Sequence, residues 1–181
     1  MTLIVRNMRR HLRGWLGDET GSVVVEFAIM LPVFLIFLLS SVEMGMMTFR
    51  QTMMERGLDM AVRDLRLGLG GAPTHASVKT SVCKYAGFLP DCANSLRLEM
   101  QPMNLRSYST LPATSDCVDK SEEIKPVRTF IAGGANQLMI LRACIKIAPI
   151  FPAVGLGDQI AKDNNGDFSL YTISAFVNEP S

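Results

Sequence analysis

A carboxylate lies within a membrane-length apolar segment near the N-terminus of this 181-residue chain. From residue 23 to residue 42 every residue is apolar except Glu26, Pro32, Ser40 and Ser41. A helix of this length spans about 30 Å, roughly the thickness of a hydrocarbon core, so the segment is predicted to enter a membrane. Placing an acidic side chain in a membrane costs about 3 kcal/mol of free energy at mid-bilayer and less near the edge. Glu26 is therefore either functional or an interfacial acid that extends its carboxylate toward the headgroups.

The residues around Glu26 indicate a second kind of chemistry, the cleavage of a peptide bond. Cleavage after Gly21 would make Ser22 the first residue and Glu26 the fifth, directly followed by the aromatic Phe27. A glycine, four residues, a glutamate and an aromatic at the head of an apolar helix resemble the processing site of type IV pilin-like proteins. The stretch VEFAIMLP, ending at Pro32, resembles the opening helix of TadE-like pseudopilins of tight-adherence (Tad) pilus systems. An ordinary loop before a signal anchor is the alternative.

This resemblance, carried by residues 18–32, implies a role in pilus assembly. It implies a minor pilin, or pseudopilin, that a prepilin peptidase cuts after Gly21 and that helps to initiate or cap a filament for surface adhesion. Its implied partners are other pilin and pseudopilin subunits, the Tad inner-membrane assembly platform and the lipid bilayer. Glu26, next to Phe27, is then expected to pair with the new Ser22 amine of a neighbouring subunit and so to select the axial register. The resemblance implies neither an enzyme nor a cofactor.

Basic residues cluster before the apolar segment and predict the orientation of the chain. Residues 1–21 hold four arginines against two acids: Arg6, Arg9, Arg10 and Arg13 against Asp18 and Glu19. Positive charge favours the cytoplasmic side, so we expect a cytoplasmic N-terminus and an exported C-terminal part. The resemblance implies that the chain is a single-pass inner-membrane protein whose periplasmic domain later reaches the cell surface. The cluster is too sparse to indicate a nucleic-acid partner.

All four cysteines follow the apolar segment: Cys83, Cys92, Cys117 and Cys144. An even set confined to the exported part indicates two disulfides formed in an oxidising compartment. Three pairings are possible. The pairing of Cys83 with Cys92, which leaves Cys117 with Cys144, is favoured because Gly87 and the Pro90-Asp91 pair between them can fold the chain back. Four buried free thiols are the alternative, and zinc is disfavoured because the chain has no CxxC pair.

The apolar helix is predicted to continue beyond the membrane. Apolar residues recur at spacings of three to four, with charged residues on the opposite face: Met54, Leu58, Ala61, Leu65 and Leu69. One helix is expected from Ser22 to about residue 67, ended by Gly68, the glycines at 70 and 71, and Pro73. Pro32 removes one helical hydrogen bond and is expected to kink or loosen the helix.

The remainder predicts an α+β fold in which the long helix packs on a small, mostly antiparallel sheet. A short helix is expected over 74–85 and strands over 96–100, 138–147 and 168–177, with Arg142 and Lys146 on a more polar face of the second strand. The predicted organisation is a leader at 1–21, a helix at 22–70 that spans the membrane at about 23–42, and an exported domain at 71–181.

Other motifs do not indicate a catalytic or metal site. Asp163, Asn165 and Asp167 match the first positions of a calcium loop, but Phe168 stands where that loop needs glycine, so a plain turn is expected. Two rival classes of protein remain open. A membrane-anchored periplasmic binding or interaction protein, or an anchored enzyme domain, would keep its N-terminus, and a secreted protein would be cut after the apolar run.

Overall fold

The long helix predicted from the sequence is the dominant element of the fold. The computed structural model describes residues 22–68, 72–104, 117 and 130–179. Helix α1 (Ser22–Arg66) contains 45 residues and runs without interruption through Pro32, so the prediction of one continuous helix is confirmed. A kink at Pro32 stays a prediction. The leader at 1–21, with Gly21, and the glycines at 70 and 71 lie outside the described residues.

Helix α1 ends where the backbone reaches Gly68, whose φ is +64°. This left-handed conformation favours glycine and commonly terminates a helix. The N–H of Gly68 donates to the carbonyl of Leu65 at 3.2 Å, which satisfies one of the last helical carbonyls.

A second helix, α2 (His75–Ala86), packs against the C-terminal half of α1. It is capped by Thr74, whose hydroxyl accepts from the N–H of Ser77 at 3.1 Å while the Ser77 hydroxyl accepts from the N–H of Thr74 at 3.0 Å. The contact with α1 is close at Gly57, where a Cβ would lie 2.8 Å from the Cβ of Ala86. A one-turn helix, α3 (Cys92–Ser95), follows.

Three antiparallel strands form the sheet in the order β1-β2-β3. They are β1 (Arg97–Pro102), β2 (Leu138–Ile147) and β3 (Phe168–Val177). The bounds of β2 and β3 are those predicted, and β1 lies one to two residues further along the chain than predicted. A short helix, α4 (Leu156–Gln159), lies between β2 and β3. The fold is therefore α+β.

The hydrophobic core lies between the sheet and the two longer helices. One face of the sheet, which includes Leu141 and Ile145 of β2, meets buried residues of α1 and α2: Met54, Leu58, Val78 and Val82. Both predicted disulfide pairs are present: Cys83 is bonded to Cys92 and Cys117 to Cys144, with Cα separations of 5.7 and 5.2 Å. The first bridge ties α2 to α3, and the second ties Cys117 to the central strand.

Arg142 is buried, although the sequence analysis placed it on a more polar face of β2. Its neighbours on that face include Ile140 and Cys144, which are also buried, and Arg142 itself is only 4% exposed. The burial covers both faces of this strand, because every residue of β2 from Met139 to Ile145 is buried. The guanidinium is paired across the strands with Glu99, at 3.4 Å from its Oε2, which offsets part of the cost of burying the charge.

Candidate assembly and anchoring site

The N-terminal half of α1 projects away from the sheet domain. All of its large apolar side chains from Val23 to Leu38 except Leu31 are exposed, whereas the buried residues of α1 begin at Glu43. Among the described residues, α1 is the one helix long and apolar enough to cross a membrane, and its apolar window is not buried against the domain. An exposed apolar surface of this size indicates contact with lipid or with other helices.

Ser22, Glu26 and Phe27 lie together at the exposed end of α1. Helix α1 begins at Ser22, and Glu26 follows about one helical turn, or 6 Å, along the axis. Glu26 is exposed, and Phe27 beside it is 60% exposed. A carboxylate and an aromatic ring on the projecting end of α1 are therefore open to contact with a neighbouring molecule.

A second carboxylate on α1, which the sequence analysis missed, occupies a very different environment. Glu43 is 1% exposed. Its Oε1 accepts from the backbone N–H of Ile150 at 3.0 Å, and its Oε2 accepts from that of Phe151 at 2.8 Å. Two charge-assisted hydrogen bonds replace much of the lost hydration. One feature of the sequence could have drawn attention to it, because Glu43 is the one charged residue between Phe27 and Phe49. Nothing in the sequence identifies its hydrogen-bond partners.

The β2–β3 loop, residues 148–167, supplies these partners and follows α1 toward its N-terminus. Near β2, the guanidinium of Arg50 donates to the carbonyl of Ala148 at 3.2 Å. Further along the loop, the N–H of Leu156 donates to Ser40 Oγ at 3.1 Å. Gly155, with φ of +57°, lies so close that a Cβ there would collide with Ser40 Oγ and lie 3.3 Å from the carbonyl oxygen of Ile36. The loop thus contacts α1 over about 20 Å, between residues 36 and 50.

An ion pair fastens the far end of this loop to the sheet. Lys146 Nζ lies 2.7 Å from Asp163 Oδ2, and Asp163 Oδ1 accepts from the N–H groups of Asn165 and Asp167. Burial raises the pKa of the Asp163 carboxyl, but the hydrogen bonds from Lys146 and from the two N–H groups outweigh it and lower that pKa below its usual value. The carboxylate therefore closes a turn.

The predicted site residues separate into two groups in space. Ser22, Glu26, Phe27 and Pro32 lie on the projecting half of α1, whereas the four cysteines lie in the sheet domain. Glu26 and Glu43 are about 26 Å apart along the helix axis. No group of three His, Cys, Asp or Glu side chains suited to a metal ion occurs within the described part of the chain.

A comparison with protein families matches the long helix. Residues 21–63 match the family model described as "TadE-like protein", which covers nearly all of α1 and none of the sheet. The resemblance that the sequence analysis drew from residues 18–32 is therefore confirmed and extends further along α1. No curated protein and no solved structure matches the chain.

Proposed function

Because α1 carries a TadE-like segment, which associates this protein with Tad pili, we propose that the chain is a minor pilin that prepilin peptidase processes. The observation that carries the proposal is that the family match coincides with a helix whose apolar N-terminal half projects free of its own domain. Such a surface suits first a bilayer and then the helices of neighbouring subunits. In this role the protein helps to initiate or cap an adhesive filament and has no catalytic function.

The proposed topology places the leader in the cytoplasm and the sheet domain in the periplasm. The arginines of residues 1–21 support this orientation. The disulfides support it independently, because all four cysteines are bonded and all lie in the part of the chain that would be exported. The subunit would wait in the inner membrane, in contact with the assembly platform, before it enters the pilus.

Glu26 has a specific role in this proposal. Cleavage after Gly21 releases the amine of Ser22, and the Glu26 carboxylate of an adjacent subunit pairs with that amine. The two residues are one turn apart on α1, so a pair between parallel helices sets an axial offset of about 6 Å. In an apolar surrounding, a misaligned subunit would leave an unpaired charge, which costs several kcal/mol. The pair therefore selects the register at which subunits assemble.

The experiment that tests this role replaces Glu26 with glutamine. Glu26→Gln removes the charge without removing the side chain, so subunit capture should weaken by about 1 to 3 kcal/mol, or about tenfold in occupancy. The measurements are crosslinking to other pilin subunits and counts of surface filaments. Cleavage after Gly21 should be unchanged, because the carboxylate takes no part in bond breaking.

The matched control is Glu55→Gln, which removes an exposed charge from the domain half of the same helix. This variant should crosslink and form pili as the native protein does. Normal crosslinking and piliation of Glu26→Gln would show that Glu26 is only an interfacial residue.

A further inference from the structure

We propose that the tip of the β2–β3 loop, residues 148–157, lies in the outer leaflet of the membrane that α1 crosses. The sheet domain would then rest on lipid instead of standing above it on a bare helix. The inference depends on α1 spanning a bilayer, but it holds whether or not the chain is a pilin. The occupant of the apolar surface around this loop is thus lipid.

The depth of the loop along α1 is the first argument. The N–H of Leu156 donates to Ser40 Oγ, and a Cβ at Gly155 would lie 3.3 Å from the carbonyl oxygen of Ile36. Ser40 and Ile36 both lie inside the apolar segment 23–42. Ile36 is about 9 Å along the axis from the end of that segment. A loop that reaches Ile36 cannot stay in water while the whole segment is in the hydrocarbon core.

The composition of the loop is the second argument. Residues 148–157 read APIFPAVGLG and contain no charged side chain. Ile150 and Val154 are 39% and 38% exposed on its surface. These side chains form an apolar surface that continues the exposed face of α1, and burying such a surface in lipid is favourable.

The hydrogen bonds of the loop backbone are the third argument. Irregular backbone is tolerated at membrane depth only where its polar groups have protein partners. The N–H groups of Ile150 and Phe151 bond to Glu43, and that of Leu156 bonds to Ser40. Side chains also donate to loop carbonyls: Arg50 to Ala148, and Lys162 to Pro152 and Gly157. Each of these N–H and carbonyl groups of the loop therefore has a hydrogen-bond partner within the protein, as a position at membrane depth requires.

The burial of Glu43 on α1 is the fourth argument that the loop lies at membrane depth. Because the loop covers its carboxylate, α1 presents no exposed charged side chain between Phe27 and Phe49. The uncharged surface of α1 therefore continues about 10 Å past residue 42, from the hydrocarbon core into the headgroup region. At its outer end Phe49 packs edge-on against Phe88, with ring centroids 5.5 Å apart. Phe88 is 71% exposed, as suits an apolar ring at a membrane boundary.

Tryptophan fluorescence of the full chain in phosphatidylcholine vesicles tests this placement. The single native tryptophan, Trp15, is first replaced by phenylalanine. Val154→Trp and Phe88→Trp then place probes on the loop tip and at the proposed boundary. Phe34→Trp, on the exposed face of α1, marks the bilayer, and Ile173→Trp, on the outer face of β3 and 62% exposed, marks water.

Lipids brominated on the acyl chains should quench Val154→Trp to an extent comparable with Phe34→Trp and Phe88→Trp more weakly, as suits a boundary position, and both spectra should be blue-shifted. The Ile173→Trp variant should keep its emission. Intact disulfides and an unchanged circular dichroism spectrum check that each variant folds, and Phe88→Trp decides the matter if Val154→Trp does not fold.

Three outcomes would overturn the proposal. If Phe34→Trp is quenched while both probes behave like Ile173→Trp, the domain stands clear of the lipid and the pilin proposal is unaffected. If Phe34→Trp is not quenched either, α1 does not enter the bilayer and both proposals fail. If the probes become shielded only as the protein-to-lipid ratio rises, a second copy of the chain covers the loop instead of lipid.

Discussion

The Glu43 carboxylate accepts a 2.8 Å hydrogen bond from the backbone N–H of Phe151, 108 residues later in the chain. This contact joins the middle of α1 to the loop between two strands of the sheet. Since Glu43 is almost completely buried, its carboxylate depends on the loop for hydrogen bonds, and the loop depends on it. The orientation of the sheet domain on α1, and hence on any filament that α1 enters, is therefore coupled to this one side chain.

Replacing Glu43 should destabilise the domain. Glu43→Ala leaves the N–H groups of Ile150 and Phe151, which are partly buried against α1, without their acceptors, which should lower the free energy of unfolding by about 2 to 4 kcal/mol. Chemical denaturation in detergent, followed by circular dichroism, measures this change. Glu55→Ala, at an exposed position of the same helix, should change stability by no more than about 0.5 kcal/mol. Equal unfolding midpoints for the two variants would contradict the assignment.

Alanine substitutions at two glycines of α1 should change the free energy of unfolding in opposite directions. At Gly57 a Cβ would lie 2.8 Å from the Cβ of Ala86 and from the carbonyl oxygen of Val82, so Gly57→Ala should cost about 1 to 3 kcal/mol by separating α1 from α2. At Gly45 a Cβ would meet nothing within 4 Å. Gly45→Ala should therefore stabilise the helix by up to about 1 kcal/mol.

Thermal unfolding of the two variants beside the native protein measures both effects. If both substitutions destabilise the protein to the same extent, the requirement for glycine at residue 57 does not come from the close contact between α1 and α2.

The ion pair between Asp163 and Lys146 should make stability depend on pH. The pKa of Asp163 is lowered in the folded protein, so its contribution is complete above the unfolded pKa of about 4 and is lost as the pH falls through the lower folded value. Asp163→Asn should cost about 1 to 2 kcal/mol at neutral pH, and the difference from the native protein should shrink in acid.

Denaturation curves at neutral and acidic pH measure this difference. Asp158→Asn serves as the control, because Asp158 is exposed and, within the described part of the chain, accepts a hydrogen bond only from its neighbour Gln159. If the difference in unfolding free energy between the native protein and Asp163→Asn stays constant with pH, the ion pair is not its source.

Proteolytic cleavage after Gly21 should produce a mature chain that starts at Ser22. Gly21 precedes a glutamate at the fifth mature position, behind a basic leader, and a β-branched side chain at residue 21 should block the peptidase. Intact-mass analysis of protein from piliated cells should therefore find a chain starting at Ser22, and Gly21→Val should yield the uncut chain. Gly17→Val, in the same leader, should be processed normally. Recovery of only the uncut native chain would remove the pilin proposal.

Local patterns in the sequence were sufficient for the two longer helices and the three strands, but not for the one-turn helices α3 and α4. The continuity of α1 and the bounds of β2 and β3 follow from the 3.6-residue and two-residue periods of apolar residues, because these periods reflect which face of each element meets the core. The VEFAIMLP stretch likewise indicated the TadE-like segment that the family model matches. The assembly role of Ser22 and Glu26 and the boundaries of the predicted regions stay predictions.

Contacts between distant parts of the chain were decided only by the tertiary structure. Arg142 is buried on the face of β2 that also carries Ile140 and Cys144, and the pattern of a single strand does not show which of its faces other parts of the chain cover. The sequence shows Glu43 as an acid just after an apolar run, yet its partners, Ile150 and Phe151, are backbone N–H groups, which every residue except proline possesses. Side-chain identity therefore cannot reveal this contact. It exists because the pairing of β2 with β3 returns their connecting loop to the middle of α1.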